Sequence, residues 1–170
     1  MSEERAQQNR MSIFPTKILL ATDGSREAEL AARTAADLAN STNSELHLLT
    51  VARGSPDPAY YTNNDVVFLY ETYEEALDEV KGVAQRVLDE QARKVEEAGG
   101  TVKEAHLKIG ERPERAIVHL AEEMGVGLIV MGSQGLGGVR RALMGSVSDS
   151  VVRHAHCPVV IVRPENYPET

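Results

Sequence analysis

From Gly132 to Ser148 the chain reads Gly-Ser-Gln-Gly-Leu-Gly-Gly-Val-Arg-Arg-Ala-Leu-Met-Gly-Ser-Val-Ser. The stretch follows an apolar run and leads into a helical pattern that starts at Ser146. Glycines let a backbone come close to a ligand and take positive φ, which is the expectation for Gly135. Successive free N–H groups in such a loop surround an anion. The first turn of the helix adds unpaired N–H groups and the positive end of a dipole. Ser146 and Ser148 add hydroxyl donors. Phosphate is the anion this arrangement suits best. A Walker A loop is excluded, because the stretch holds no lysine. A dinucleotide fingerprint opening at Gly135 needs Gly or Ala at position 140, which is Arg140. The plainer alternative is a glycine-rich surface loop ahead of a capped helix.

Other reactive side chains are fewer. Asp23 ends the first apolar run, where a carboxylate either caps the helix that follows or sits beside a hard cation. Arg140 and Arg141 lie inside the glycine-rich stretch, either neutralising phosphate or forming a solvated basic pair. His154-Ala-His156-Cys157 has neither an i,i+4 histidine pair nor a second cysteine, so it does not read as a zinc site. His47, His106 and His119 are scattered over two strands and a helix, and no Ser–His–Asp set is legible. Tyr70 and Tyr73 read as helix packing, not as a stacking platform for bases.

The elements that must position these residues alternate. Lys17–Thr22 is a buried strand, and Asp23-Gly24-Ser25 a tight turn with Ser25 as helix N-cap. A helix runs to Asn40, a second strand spans Glu45–Val51, and 53–68 is a loop. The spacing of Leu69, Tyr73, Leu77, Val80, Ala84 and Leu88 predicts a helix over 69–98, stopped by Gly99-Gly100. Val102, Ala105, Leu107 and Ile109 sit among charges, as in a half-exposed edge strand. Pro113 opens a helix that Gly125 ends; 127–131 is a strand, 146–155 a helix and 158–162 the last strand. The expected fold is α/β: a single-domain, open, five-stranded, mostly parallel sheet with helices on both faces. The domain is expected over 16–164, with a flexible N-terminal tail at 1–15 and a C-terminal tail at 165–170. Ligands of such sheets sit beyond the carboxyl ends of the strands, where the strand order switches.

Composition limits what these elements serve. The chain has 170 residues, a formal net charge of −8 and one cysteine, Cys157. The length suits one domain, and a lone cysteine makes no intramolecular disulfide. The acidic balance argues against nucleic-acid binding. No apolar run approaches the length of a membrane span. The polar N-terminus lacks the apolar core of a signal peptide, and a cytoplasmic location is expected. It also poses a problem: an acidic protein has to hold an anion against its own field.

The spacing Gly132-x2-Gly135-x9-Gly145-Ser146 resembles the Gly-x2-Gly-x9-Gly-Ser/Thr pattern of the ATP-binding branch of the universal stress protein family. Ile18-Leu-Leu-Ala-Thr-Asp-Gly-Ser25 is similar to that family's first strand and turn, and Cys157-Pro-Val-Val-Ile-Val-Arg163 to its closing strand. The likeness covers about residues 15–164. It implies an adenine-nucleotide α-hydrolase-like, Rossmann-like fold that binds ATP with Mg²⁺ or Mn²⁺. Residue by residue, it implies Ala21 and Thr22 near adenine, Val51 and Met131 packed on the base, and Asp23 near the phosphates or their metal. It implies Gly132, Ser133 and Gly135 close to ribose and phosphates, with Gly145, Ser146, Val147 and Ser148 holding phosphate at the helix start. Ala21 departs from the pattern, since some nucleotide-bound members have proline there. The resemblance also implies a homodimer joined through Val159–Val162 and a role in nucleotide-linked stress sensing. The rivals are a slow ATPase or nucleotidyl transferase on this scaffold, for which no general base is legible; an AMP or cyclic-nucleotide binder; and a nucleotide-free dimeric interaction protein.

Overall fold

The computed structural model describes residues 12–54, 66–135 and 144–164, with side chains from 73 onward in the second of these ranges. Both expected tails beyond those limits, most of the 53–68 loop, the Tyr70 side chain, and Arg140 with Arg141 lie outside the described residues. The element order is β1 (Lys17–Thr22), α1 (Arg26–Thr42), β2 (Glu45–Ala52), α2 (Val66–Glu97), β3 (Val102–Ile109), α3 (Pro113–Met124), β4 (Leu128–Gly132), α4 (Ser146–His154) and β5 (Val159–Val162). The sheet order is β3-β2-β1-β4-β5, and every neighbouring pair is parallel. The strand order reverses between β1 and β4, so the crevice beyond their carboxyl ends is where a ligand is expected.

Strand alternation builds two cores. Ile18, Leu20, Leu46, Leu48, Leu128 and Val130 pack on α1 and α2. Leu19, Leu49, Ile129 and Met131 pack on α3 and α4, through Ile117, Leu120, Ala121 and Val151. The face of α1 that meets the sheet is alanine: Ala28, Ala31, Ala32, Ala35, Ala36 and Ala39 are all buried. Small side chains bring this helix close to β1 and β4, and its first turn lands beside the glycine-rich segment. A Cβ on Gly132 would lie 3.0 Å from Glu27 Cβ and 3.1 Å from its carbonyl carbon.

The signals at the element ends hold in most places. Ser25 Oγ accepts from Ala28 N at 3.2 Å, which makes Ser25 the N-cap of α1. Pro113 opens α3, and Gly125 closes it in a left-handed conformation with φ 63°. Two helices extend past their expected limits. α1 runs to Thr42 because Asn43, at φ 52°, supplies the left-handed cap three residues beyond Asn40. α2 starts at Val66, not at 69, so the expected loop is shorter. Each strand bound shifts by at most about one residue from its expected place, the ordinary uncertainty of element ends. β3 is the half-exposed edge expected of it, and β5 is the other edge. No helix among the described residues is long and apolar enough to cross a membrane.

Candidate functional site

A cavity of about 770 Å³ opens at the carboxyl ends of β1 and β4. Small-molecule sites usually fall between about 300 and 1,000 Å³. One wall is apolar, built by Ala21, Leu49, Val51, Ile117 and Met131. The opposite end is backbone-rich: Gly132, Gln134 and Gly135 on one side, Gly145 to Ser148 on the other. Thr22 and Asp23 line the floor between them. Of the twelve residues singled out in the sequence, eleven therefore face one cavity.

Ser133 does not. It is fully buried, and its hydroxyl has no hydrogen-bond partner. Its backbone instead fastens the loop. Ser133 N donates to the Val162 carbonyl at 2.9 Å, and the Ser133 carbonyl accepts from Gly145 N at 2.7 Å and from Ser148 Oγ at 2.8 Å. The two ends of the glycine-rich stretch are thus tied together next to β5. Ser148, 2% exposed, is committed to this clasp, and its Oγ also lies 3.0 Å from the Gly145 carbonyl. Its hydroxyl ties α4 to both described ends of the glycine-rich stretch.

α4 begins without a side-chain cap. The first helical bond runs from Asp149 N to the Gly145 carbonyl at 2.9 Å. The N–H groups of Ser146, Val147 and Ser148 come before it and have no intrahelical acceptor. The three residues line the cavity, so the positive end of the helix dipole lies at that end of it. A helix start of this kind is chemically suited to an anion, and it is formed here without a lysine.

Two glycines act through space, not through φ. Gly135 is outside the left-handed region that the sequence led one to expect. What excludes a side chain is Asp23, because a Cβ on Gly135 would fall on Asp23 Oδ2. Gly145 has extended backbone, and a Cβ there would meet the Ser133 carbonyl oxygen at 3.3 Å. The turn glycine that does need positive φ is Gly24, at 78°.

The capping reading of Asp23 gives way to a role in the turn. Its Oδ1 accepts from Ser25 N at 3.0 Å, which shapes the turn before α1, while Ser25 caps the helix itself. Its other oxygen faces Gly135 across the cavity floor. Residues the sequence reading passed over complete the site. Glu27 Oε2 accepts from Gln134 N at 2.7 Å and so pins the first turn of the glycine-rich stretch to α1. Arg53 and Met144 stand at the rim. In sequence a glutamate two residues past the Ser25 N-cap reads as a favourable first-turn charge, and nothing in its spacing marks it as a loop anchor.

The remaining candidates make contacts outside the cavity. His154 Nδ1 lies 2.7 Å from the Ser150 carbonyl, and His156 Nε2 lies 3.0 Å from the Val126 carbonyl, so the two are engaged separately. Cys157 is half-buried and free, and burial pushes its thiol pKa up.

The Universal stress protein family profile matches residues 15–163. A relative from Staphylococcus haemolyticus assigned to the universal stress proteins is 35% identical over 153 residues, covering 89% of this chain and 87% of its own. The universal stress protein UspA from Lactobacillus plantarum superposes with a TM-score of 0.73 at 26% identity, over 89% of this chain and all of that one. A universal stress protein crystallised in complex with cAMP superposes with a TM-score of 0.61 at 26% identity, over 88% of this chain and 98% of that one. With a family match over nearly the whole described fold and a relative above 30% identity, this chain belongs to the universal stress protein family.

Proposed function

We propose that this protein binds ATP, together with Mg²⁺ or Mn²⁺, and acts as a homodimeric, nucleotide-linked stress sensor or regulator. One observation carries the reading: a single cavity joins an apolar slot to an uncapped helix start. Ala21, Val51 and Met131 offer a flat apolar wall for a base, and the N–H groups of Ser146 to Ser148 face the other end, where phosphates would lie. The cavity size suits a nucleotide. Gly132 and Gly135 leave the space between them open for ribose and the phosphate chain.

Asp23 fits a hard cation. Its carboxylate lines the floor beneath the expected phosphates, and carboxylate and phosphate oxygens are the donors that Mg²⁺ and Mn²⁺ take. The ion would offset the repulsion between that carboxylate and a triphosphate. Asp23 and the phosphates would hold it, while Ser25 N keeps the carboxylate oriented. The resemblance to the cAMP-bound neighbour favours a second reading, in which a single phosphate occupies the helix end. Nucleotide extracted from protein purified without added ligand distinguishes them. Adenosine triphosphate in the extract supports the first reading, a monophosphate or cyclic nucleotide the second. Phosphate release against a no-protein blank measures any turnover.

β5 supports the dimer. It is an edge strand, and none of the described strands pairs with its outer side. The carbonyls of Pro158 and Val162 are turned inward, toward Ile129 N and Ser133 N. In a parallel ladder alternate residues serve opposite neighbours, so Val159 and Ile161 present their backbone groups outward. A second copy of the same strand can take them up.

A further inference from the structure

Two of the three histidines that look scattered in the sequence, His47 and His106, come together in the fold. His47 lies on β2 and His106 on β3, and the register sets His47 opposite Glu104 and Leu49 opposite His106. The residues at 47, 104 and 106 therefore share one face of the sheet. The two imidazole rings stack with centroids 6.0 Å apart and 29° between their planes. One donor atom from each of His47, Glu104 and His106 falls within 4.8 Å of the others. This cluster lies on the outer β2–β3 edge, and none of its members lines the cavity between β1 and β4.

The hydrogen bonding here is incomplete. His47 is 3% exposed, and neither of its ring nitrogens has a hydrogen-bond partner. His106 Nε2 is buried and equally unpartnered. Carboxylates stand near but not bonded: Glu45 Oε2 is 3.5 Å from His47 Nε2, and Glu104 Oε2 is 3.7 Å from His106 Nε2. Buried polar groups in folded proteins are almost always satisfied, so an unsatisfied pair of imidazoles facing a carboxylate asks for a partner. A water bridges such groups through hydrogen bonds that need the right proton on each ring nitrogen. A metal ion serves both rings and the carboxylate at once.

We infer that His47, His106 and Glu104 form a binding site for a borderline divalent transition metal, Zn²⁺ in the first instance, separate from the nucleotide cavity. Two imidazole nitrogens and one carboxylate oxygen suit Zn²⁺ and its neighbours, whereas Mg²⁺ and Ca²⁺ prefer all-oxygen shells. Ligands of a tetrahedral zinc at about 2.0–2.1 Å stand roughly 3.3 Å apart. Reaching that spacing from separations of up to 4.8 Å takes side-chain rotation of the imidazoles as well as of Glu104, whose side chain is 62% exposed on the edge strand. The same exposure gives the ion its route from solvent and leaves a fourth position for water. Bound there, the ion would clip β3 to β2.

The test uses the full chain, stripped with chelator, exchanged into metal-free buffer and titrated with zinc chloride alone, with no nucleotide. The expected result is one Zn²⁺ per chain and a raised unfolding midpoint, because the ligand binds only the folded pairing of β2 with β3. His106→Gln and, independently, the exposed Glu104→Gln are expected to lower the affinity at least tenfold with unchanged circular dichroism. Asp23→Asn is expected to retain it, which separates this site from any cation at the nucleotide. Failure of the wild-type chain to bind zinc would overturn the inference. So would binding that survives both His106→Gln and Glu104→Gln, since the ion would then sit elsewhere, for instance at His154 and His156.

Discussion

Gly135 and Gly145 carry the most specific consequences at the scale of single residues. Gly135→Val places side-chain atoms on the Asp23 carboxylate, which must move or be displaced from the cavity floor. A loss of about tenfold in ATP affinity, or ~1.4 kcal/mol, is expected by calorimetric titration. Gly145→Asp is expected to be worse. It presses a Cβ on the Ser133 carbonyl and sets a negative charge beside the N–H groups proposed to hold phosphate. Unchanged affinity in both variants would remove the glycine-rich segment from the site. Cys157 gives a prediction of a different kind. Burial raises its thiol pKa, so at pH 8 less thiolate is present in the folded chain than in the unfolded one. Iodoacetamide should therefore label Cys157 more slowly in buffer than in denaturant. The sign for stability follows: the unfolded chain releases this proton first, so the contribution is present below the unfolded pKa and lost as pH rises through the folded one. Residue types and spacing made the glycine pattern and Asp23 legible, and the family resemblance implied Ala21, Val51 and Met131 of the apolar wall. Ser133 was not legible, because a buried serine with a structural backbone and a ligand-facing serine look alike in a string of letters. Glu27 and the His47–His106 pair were illegible for a related reason: each depends on a contact between elements far apart in sequence.

At the scale of elements, the alternation of apolar runs with helical spacing made the order and the parallel sheet readable. Ser25, Pro113 and Gly125 marked ends that the structure keeps. The misplaced ends have local causes. Asn43 provides a left-handed cap that asparagine tolerates but does not announce, and α2 takes in Val66 and Val67 from what looked like a loop. The edge strand β5 carries a prediction. Ile161→Pro removes a backbone N–H from the outward side of the strand and leaves the inward bonds of Pro158 and Val162 in place. Light scattering coupled to size exclusion should show twice the chain mass for the wild type and a monomer for the variant, with helical circular dichroism retained. A wild-type monomer at micromolar concentration would contradict the dimer.

At the scale of the whole molecule, the net charge of −8 had seemed to oppose an anionic ligand. The fold offers a local answer in an uncapped helix start and backbone N–H groups, to which the proposed cation would add; these act at short range, while the distant surface charge is screened over about 8–10 Å in physiological salt. On this account the cation is indispensable, because Asp23 and the ligand are both anionic and share one end of the cavity. The most direct measurement is therefore a calorimetric titration of the full chain with ATP, run once with Mg²⁺ and once with excess EDTA. The account predicts saturable binding of one ATP per chain with Mg²⁺, and affinity at least tenfold weaker with EDTA. The absence of any binding heat or thermal shift with ATP and Mg²⁺ would contradict it.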